Sequence, residues 1–458
     1  MLPALGLLVA TIRGLGGLMM RGNRRDFLKI GAAIAAGAAL PLRARANESF
    51  ISLWEYDFSV LQLATDEETA QFRILRHTDR DISYRFLDSK GRELAWRVLD
   101  SFTHSSRLKD RFDHLIVTGL SVGHDYRLQI IDNALGKVAD ERIFSALDTK
   151  KANGRFAILS CMHDSHDFAA GRSLMWKALA DTQPDILFLI GDACYADEWS
   201  NQTEPSIWNR FVETRRNLDL YYWKRLIPVL AVWDDHDFGV NNGDTSFKLK
   251  HACKQFFEAC FGWSERPAYV RGPGLASYAA LFGQKFLLMD DRFFRSPRSA
   301  SAQTHWGEVQ EEWLFDRLGK EKNPAWIFNG NQFFGGYHKY ESFERLHKTQ
   351  FNRVMKRFAN LEAPVAFGTG DVHFSEIMRI EPEILGYETF EFVSSSMHSF
   401  PFDVKGGIPA NARRIQSTLE YNFTLFDSQV IDGAAHVNAR SVGQRLAVNF
   451  THDFVLKR

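Results

Sequence analysis

The stretch Asp185-Ile-Leu-Phe-Leu-Ile190-Gly191-Asp192 decides the fold: a short unbroken apolar run, then glycine, then a carboxylate. The same plan recurs in Phe156-Ala-Ile-Leu-Ser-Cys161-Met-His163-Asp164, in Pro228-Val-Leu-Ala-Val-Trp233-Asp234-Asp235-His236-Asp237 and in Pro364-Val-Ala-Phe367-Gly-Thr-Gly-Asp371-Val-His373. Short, nearly continuous hydrophobic runs separated by longer segments read as buried strands of an α/β sheet, which places its ligands beyond the carboxyl ends of the strands. Carboxylates gathered at one such place repel one another and resist burial. Asp, His and Cys collected from several strand ends therefore read as a metal-binding set.

The chain has 458 residues, 45 % of them hydrophobic and 13 % aromatic, enough for a large core and, by length, two or three domains. Basic and acidic residues balance at 56 each, so the chain shows no footprint for nucleic acid or an anionic membrane surface. A small anionic substrate needs only local charge. Residues 1–46 read as a bacterial twin-arginine (Tat) signal peptide: Arg24-Arg25-Asp26-Phe27-Leu28-Lys29, a weakly apolar stretch from Ile30 to Leu40, and Ala44-Arg-Ala46 as cleavage site. Ile30 to Leu40 is too short to span a bilayer. The apolar stretch Leu2 to Ile12 ahead of the arginines fits either a start at Met19 or Met20 or a longer leading region. The expected partner is the Tat export machinery, and the expected location is periplasmic or secreted, with no transmembrane anchor in the mature chain. Tat carries proteins already folded, so a metal would be acquired inside the cell, where folding and metal binding are coupled.

Four cysteines, at 161, 194, 253 and 260, are too few for a disulfide framework. Cys253 and Cys260 are separated by about 10 Å of rise along a helix-like segment and cannot bond within it.

Residues 50–149 read as an all-β module, with turn signals at Asp88-Ser-Lys-Gly91 and Asp132-Asn-Ala-Leu-Gly136. Tyr126 stands where a fibronectin-like sandwich has a corner tyrosine whose hydroxyl bonds back to the main chain. Asp148 to Gly154 is a polar linker, and from Arg155 strands alternate with helices, the latter at Arg172 to Thr182, Trp208 to Tyr222 and Gln310 to Leu318. Lys285 to Arg292 and Ala325 to Gln332 are further strand candidates.

Taken in order, Cys161; Gly191-Asp192-Ala-Cys-Tyr195; Trp233-Asp-Asp-His236-Asp237 with Asn241-Asn242; Asp290-Asp-Arg292 with Arg295; Gln310-x-x-Trp313-Leu314; Gly330-Asn-Gln332; Gly370-Asp371-Val-His373; and Glu391-Phe-Val-Ser-Ser-Ser396 resemble the PhoD family of alkaline phosphatases and phosphodiesterases. The resemblance spans about residues 50 to 450. It implies the calcineurin-like metallophosphoesterase architecture, two facing β-sheets flanked by helices over 155–458, preceded by a small fibronectin- or Ig-like sandwich over 50–149.

It also implies a site. Asp192 after Gly191 would bridge two metals, because a carboxylate offers two oxygens and glycine lets the chain turn sharply. In the family the strand-end cysteine and the tyrosine, here Cys161 and Tyr195, are ligands of a ferric ion, a thiolate–phenolate pair that favours Fe(3+) over zinc or magnesium. His163 departs from the family pattern and echoes the Asp-x-His of ordinary metallophosphoesterases. It joins the ligand set and leaves two metal sets open, Fe(3+) with Ca(2+), or a dinuclear Mn or Zn centre. Asp164, His166 and Asp167 crowd the same loop. Asp235 and His236 occupy the place of the superfamily's Asn-His, Asp235 as a ligand and His236 as general acid. Asn242 offers an amide oxygen to a hard cation, and Asp371 and His373 stand in place of Gly-His-x-His. Arg292 and Arg295 follow a strand as expected for phosphate recognition, or form surface salt bridges. His398 lines the cleft.

The activity implied is hydrolysis of phosphate mono- or diesters by a metal-held hydroxide attacking in line. Substrate choice would lie in Asn201 to Pro205 and Ser296 to Trp306. The rival from another class is a non-catalytic surface-binding protein, which has no need of such a carboxylate cluster.

Overall fold

Alternating inward and outward side chains build the amino-terminal part into two antiparallel sheets. The computed structural model describes residues 58–458 except 105–108, 165–168, 199, 302, 340 and 402–406, so the expected signal segment, His166 and Asp167 lie outside the described residues. The strands are β1 (Ser59–Thr65), β2 (Thr69–His77), β3 (Ile82–Leu87), β4 (Trp96–Thr103), β5 (Asp110–Thr118), β6 (Asp125–Asp132) and β7 (Lys137–Ser145). They pair in the orders β1-β2-β5-β4 and β3-β6-β7. Between the sheets Phe72 meets Phe144 and Phe86 at ring-centroid distances of 5.0 and 5.3 Å. Tyr126 stacks on Phe144, and its hydroxyl accepts the Ser121 N–H at 2.8 Å, the corner expected from the sequence. Asp57–Arg458 form one compact unit. Buried Arg142, paired with Asp140, reaches out of the sandwich to the carbonyls of Tyr221 and Trp223 at 3.3 and 3.0 Å.

The remainder is a mixed α/β region. In chain order it contains β8 (Asn153–Leu159), α1 (Ala169–Asp181), β9 (Ile186–Ile190), α2 (Glu204–Asn217), β10 (Val229–Val232), α3 (Asp235–Phe238), α4 (Lys250–Phe261), β11 (Tyr269–Arg271), β12 (Ser277–Leu281), β13 (Gln284–Met289) and α5 (Gly307–Leu318). Then follow β14 (Ala325–Asn329), α6 (Phe343–Leu346), α7 (Lys348–Ala359), β15 (Val365–Thr369), β16 (Ser375–Ile380), β17 (Thr389–Val393), β18 (Arg414–Thr418), β19 (Phe423–Ile431), β20 (Ala434–Val442) and β21 (Val448–Leu456). One sheet runs β10-β9-β8-β19-β20-β21, the other β11-β12-β13-β14-β15-β17-β16-β18.

Aromatic residues join the two sheets face to face. Phe156 of β8 packs on Phe286 of β13 at 5.0 Å and on Trp326 of β14 at 5.2 Å, while Phe188 of β9 stacks on Phe286 at 4.9 Å. These rings are fully buried. The parallel strands are β8, β9 and β10 in the first sheet and β13, β14, β15 and β17 in the second, and all but β17, which carries Glu391 at its centre, read as largely apolar runs. Parallel strands end on the same side, so the polar residues after each run gather together.

Main-chain bonds lace those ends across both sheets: Met162 N–H to Asp192 O at 2.9 Å, Gly370 N–H to Gly330 O at 2.8 Å, and Met397 N–H to Ser160 O at 2.9 Å. Glycine is required at two crossings. A Cβ on Gly191 would lie 2.6 Å from Asp234 Cβ, and one on Gly330 2.5 Å from Asp234 Cγ.

Leu314 of α5 is fully buried, with Trp313 half-buried beside it. All four cysteines are buried and free. Replacing the corner hydroxyl tests the sandwich: Tyr126→Phe leaves the Ser121 N–H without its partner and is expected to lower unfolding stability by about 1–3 kcal/mol in denaturant titration, with the m-value unchanged.

Candidate metal centre

The strand ends deliver their side chains through a left-handed backbone. Cys161, Asp192, Asp371 and His373 have φ of 56, 52, 69 and 55°. Non-glycine residues persist there only where surrounding structure holds them, as the interlaced loops do here. Among the described residues three groups of candidate ligand atoms result, each gathered within 4.8 Å: Cys161, Asp192 and His373; Asp192, Asp235 and His236; Asp234, Asp235 and Asp371. Asp192 joins the first to the second, and Asp235 the second to the third. The Tyr195 hydroxyl lies 3.2 Å from His373 Nε2, and Cys161 Sγ 3.5 Å from Asp192 Oδ2. The structure thus brings Cys161, Asp192, Tyr195, Asp235, Asp371 and His373 into one connected cluster.

Surrounding groups orient these side chains. His373 Nδ1 donates to the Phe400 carbonyl at 2.6 Å; a carbonyl can only accept, so the neutral ring keeps its Nε2 lone pair for the cluster. His236 Nδ1 lies 2.8 Å from Asp197 Oδ1, and its ring stacks on Tyr195 at 4.1 Å. The Asp237 carboxylate spans two ligand loops, taking the Cys194 N–H on one oxygen at 2.7 Å and the Asp234 N–H on the other at 3.1 Å. The Cys161 thiol lies 3.1 Å from Ser395 Oγ, and the Tyr195 hydroxyl 2.7 Å from Ser399 Oγ.

Taken without a cation, the cluster works against its own ionisation. Burial, then the charge of neighbouring carboxylates, pushes the Asp371 carboxyl well above its usual range. Burial raises Asp192 and Asp234 likewise, only partly offset by the cations of His236 and Arg292 respectively. Burial also drives the Cys161 thiol and the Tyr195 hydroxyl up. At Asp235 the effect of burial is overcome by the charges of Arg292 and His236, and its carboxyl is lowered. For His236, burial opposes the charge, but the carboxylates of Asp235, Asp192 and Asp197 prevail and raise its pKa. Asp234 Oδ2 and Asp235 Oδ1 are buried with no hydrogen-bond partner. Orphaned, mutually repelling carboxylate oxygens beside a thiol, a phenol and an imidazole nitrogen fit bound cations.

The two arginines lie elsewhere than the sequence suggested. Arg292 is fully buried, neither on the surface nor open to a phosphate: its Nε donates to Asp234 Oδ1 at 2.5 Å, and its guanidinium pairs with Glu341 at 2.5 Å and approaches Asp291 at 3.6 Å. Arg295 grips Glu341 with two bonds of 3.0 and 2.9 Å. The reason is electrostatic, since carboxylates buried at this depth need a cation in contact. Glu341 lies far along the chain, and nothing in the sequence ties it to the cluster.

Other expected residues have partners of their own. His163 Nε2 pairs with Glu198 while its ring meets the Tyr195 edge at 4.5 Å, and His163 belongs to none of the three groups. Asn242 is exposed and reaches the cluster through its backbone, its N–H donating to Asp235 Oδ2 at 2.7 Å. His398 is buried beneath the site, its Nδ1 held by the His163 carbonyl at 2.9 Å. Asp164 is spent on Arg210, Thr214 and Asn217. Asp234 and Asp197 are additions that sequence reasoning passed over. Both sit inside the quoted strand-end runs or within five residues of one, which was the available signal.

Arg292→Met, which keeps bulk but leaves Asp234 and Glu341 without their cation, is expected to destabilise the fold by about 3–5 kcal/mol in equilibrium unfolding. An arginine facing substrate would leave stability unchanged.

Comparisons with known proteins give one family. A model described as PhoD-like phosphatase matches residues 156–431, more than half of the chain, and a model of the twin-arginine translocation signal sequence matches residues 23–41. The chain is therefore exported, to the periplasm or beyond the cell. Among the described residues no helix is long and apolar enough to cross a membrane. No curated protein matches. Among solved structures, the amylomaltase from Corynebacterium glutamicum aligns at 14 % identity over 33 % of this chain and 23 % of its own length, with a TM-score of 0.16, and carries no argument.

Proposed function

Because this chain belongs to the PhoD-like phosphatase family, we propose that it is an exported, metal-dependent phosphoesterase hydrolysing phosphate mono- or diesters, built on the two-sheet metallophosphoesterase plan. The observation that carries this reading is the chain of three ligand groups linked through Asp192 and Asp235. Cys161, Asp192, His373 and Tyr195 present a sulfur, a carboxylate oxygen, a nitrogen and a phenolic oxygen, donors suited to Fe(3+). Asp234, Asp235 and Asp371 present only carboxylate oxygens, suited to a hard cation such as Ca(2+). Bound there, such cations supply Lewis-acid activation of water and neutralise charge on the phosphoryl oxygens.

The side chains of this protein do the rest. Asp192 and Asp235, buried in adjoining loops held together by Asp237, fix the spacing of the two halves of the site. The carboxylates of Asp235, Asp192 and Asp197 raise the pKa of His236, which stands at the cluster as the donor to the leaving oxygen rather than as a ligand. Asp197 orients it through Nδ1, and Tyr195 stacks on its face to keep the ring from turning. With Arg292 and Arg295 held by Glu341, phosphate charge is met by His236 and the cations.

Metal analysis of protein purified after export, with turnover of para-nitrophenyl phosphate and its bis-aryl diester, tests the reading. Iron with calcium near stoichiometry and hydrolysis of either ester are the expected results. Manganese or zinc would favour the dinuclear alternative, and turnover of neither ester counts against catalysis. Asp192→Asn should release metal and lower kcat/KM by more than the roughly 10–100-fold typical of losing an outer-shell partner.

The pH profile tests His236. The proton donor is active below its folded-state pKa, which the carboxylates raise, so activity falls as pH rises through that raised value. Asp197→Asn removes one of those carboxylates, so the alkaline limb of the kcat profile should move to lower pH, and an unmoved limb would exclude the assignment.

A further inference from the structure

Next to the segment that carries Asp235 the surface opens into a cleft of about 840 Å³, with Gln202 to Pro205, which lead into α2, on one wall and Val240 to Leu249 on the other. The first wall follows Tyr195 and Asp197 along the chain, and the second follows Asp235 and His236. Both walls are thus continuations of the ligand loops. Main-chain bonds fasten the second wall to the centre: the Asn242 N–H donates to Asp235 Oδ2 at 2.7 Å, and the Val240 N–H to the Asp235 carbonyl at 3.3 Å. Each wall also holds a non-glycine residue in the left-handed region, Gln202 at φ 51° and Asn242 at φ 56°.

The lining limits what the cleft can take. Its charged residues are Glu204, Asp244 and Lys248, one negative charge in excess. Arg292 and Arg295, the cations that could hold a second phosphate nearby, are consumed by buried carboxylates. A further anionic group is therefore disfavoured. The amides of Gln202 and Asn241 supply neutral hydrogen-bonding groups, and Val240 and Phe247 supply apolar surface. The volume falls in the ~300–1,000 Å³ range of pockets that take organic ligands by apolar contact with a few orienting polar groups.

We propose that this cleft is the subsite for the uncharged organic substituent of the ester, a ring-bearing alcohol residue of nucleoside or sugar type, with phosphorus at the metal centre. The proposal rests on the phosphoesterase reading above. Its consequence is a preference for small diesters with one bulky neutral substituent over polyanionic chains, in which the cleft would have to receive another phosphate.

Filling the cleft tests it. Ser246 is exposed, lies outside the ligand groups and supplies none of those orienting groups, so Ser246→Leu and the larger Ser246→Trp narrow the cleft to different extents without touching the centre, and thermal melts with metal content verify intact protein. Two readouts are taken on the metal-loaded protein and both variants. In the first, thymidine and methyl glucoside are titrated separately by ligand-observed NMR. One of the two should bind saturably, and about tenfold more weakly to the variants. Which one binds distinguishes nucleoside from sugar. In the second, KM for the para-nitrophenyl diester of thymidine 5′-phosphate should rise about tenfold in the variants, with kcat unchanged and para-nitrophenyl phosphate kinetics within about twofold of the parent. Failure of both alcohols to bind, equal binding to parent and variants, or an equal rise in KM for both esters would overturn the proposal. Alcohol binding without hydrolysis of any ester would leave the cleft standing as a binding site and remove the phosphoesterase reading instead.

Discussion

Mutual repulsion among buried carboxylates is the constraint around which this region is arranged. Asp192, Asp234, Asp235 and Asp371 meet at the ends of strands from two different sheets, and burial denies them the water that would screen them. The protein meets that load from two sides. Behind the cluster, Arg292 and Arg295 are locked against Asp234 and Glu341, a buried lattice of opposite charge that fixes Asp234 in place. In front, the same field raises the pKa of His236. Neither reaches the orphaned oxygens Asp234 Oδ2 and Asp235 Oδ1, and it is this remaining imbalance that makes cations the natural occupants.

The packing of aromatic rings between the sheets makes such an arrangement possible. Phe156, Phe188, Phe286 and Trp326 hold β8 and β9 against β13 and β14, so loops from both sheets approach within hydrogen-bond distance. Gly191 and Gly330 are the points where the chain must pass the Asp234 side chain with no Cβ of its own. The positive φ values of Cys161, Asp192, Asp371 and His373 follow from the same closeness. Strain at the ligands is offset by the main-chain bonds that tie the strand ends together.

Orientation is finer than convergence, and here it comes from partners outside the ligand set. The Phe400 carbonyl decides which nitrogen of His373 is bare, Asp197 and Tyr195 decide how His236 lies, and Asp237 sets the separation of the loops bearing Asp192 and Asp235. The second wall of the cleft is fastened to Asp235 by the Asn242 and Val240 N–H groups. In this structure the cleft and the carboxylate cluster share one scaffold.

Legibility in the sequence divides along a physical line. Apolar runs with period and length typical of buried parallel strands identify β8, β9, β10 and β15 directly, and polar residues within a few positions of each run's end name Cys161, Asp192, Asp235 and Asp371, because a strand that is buried throughout can expose chemistry only near its end. Tyr126 is equally readable, since its contact to Ser121 is local. The role of Arg292 is not, because its surroundings depend on Asp234 and Glu341, brought to it from 58 residues before and 49 residues after by tertiary packing. His163 and Asn242 have the right residue type and spacing for ligands, yet side-chain direction is set by neighbours in space, Glu198 for one and open solvent for the other. Sequence by itself determined which residues could carry charge to the strand ends. Only the folded structure decided which of those charges face one another and which are cancelled inside the protein, because electrostatic energy depends on distance and burial, and neither is a property of the chain until it is packed.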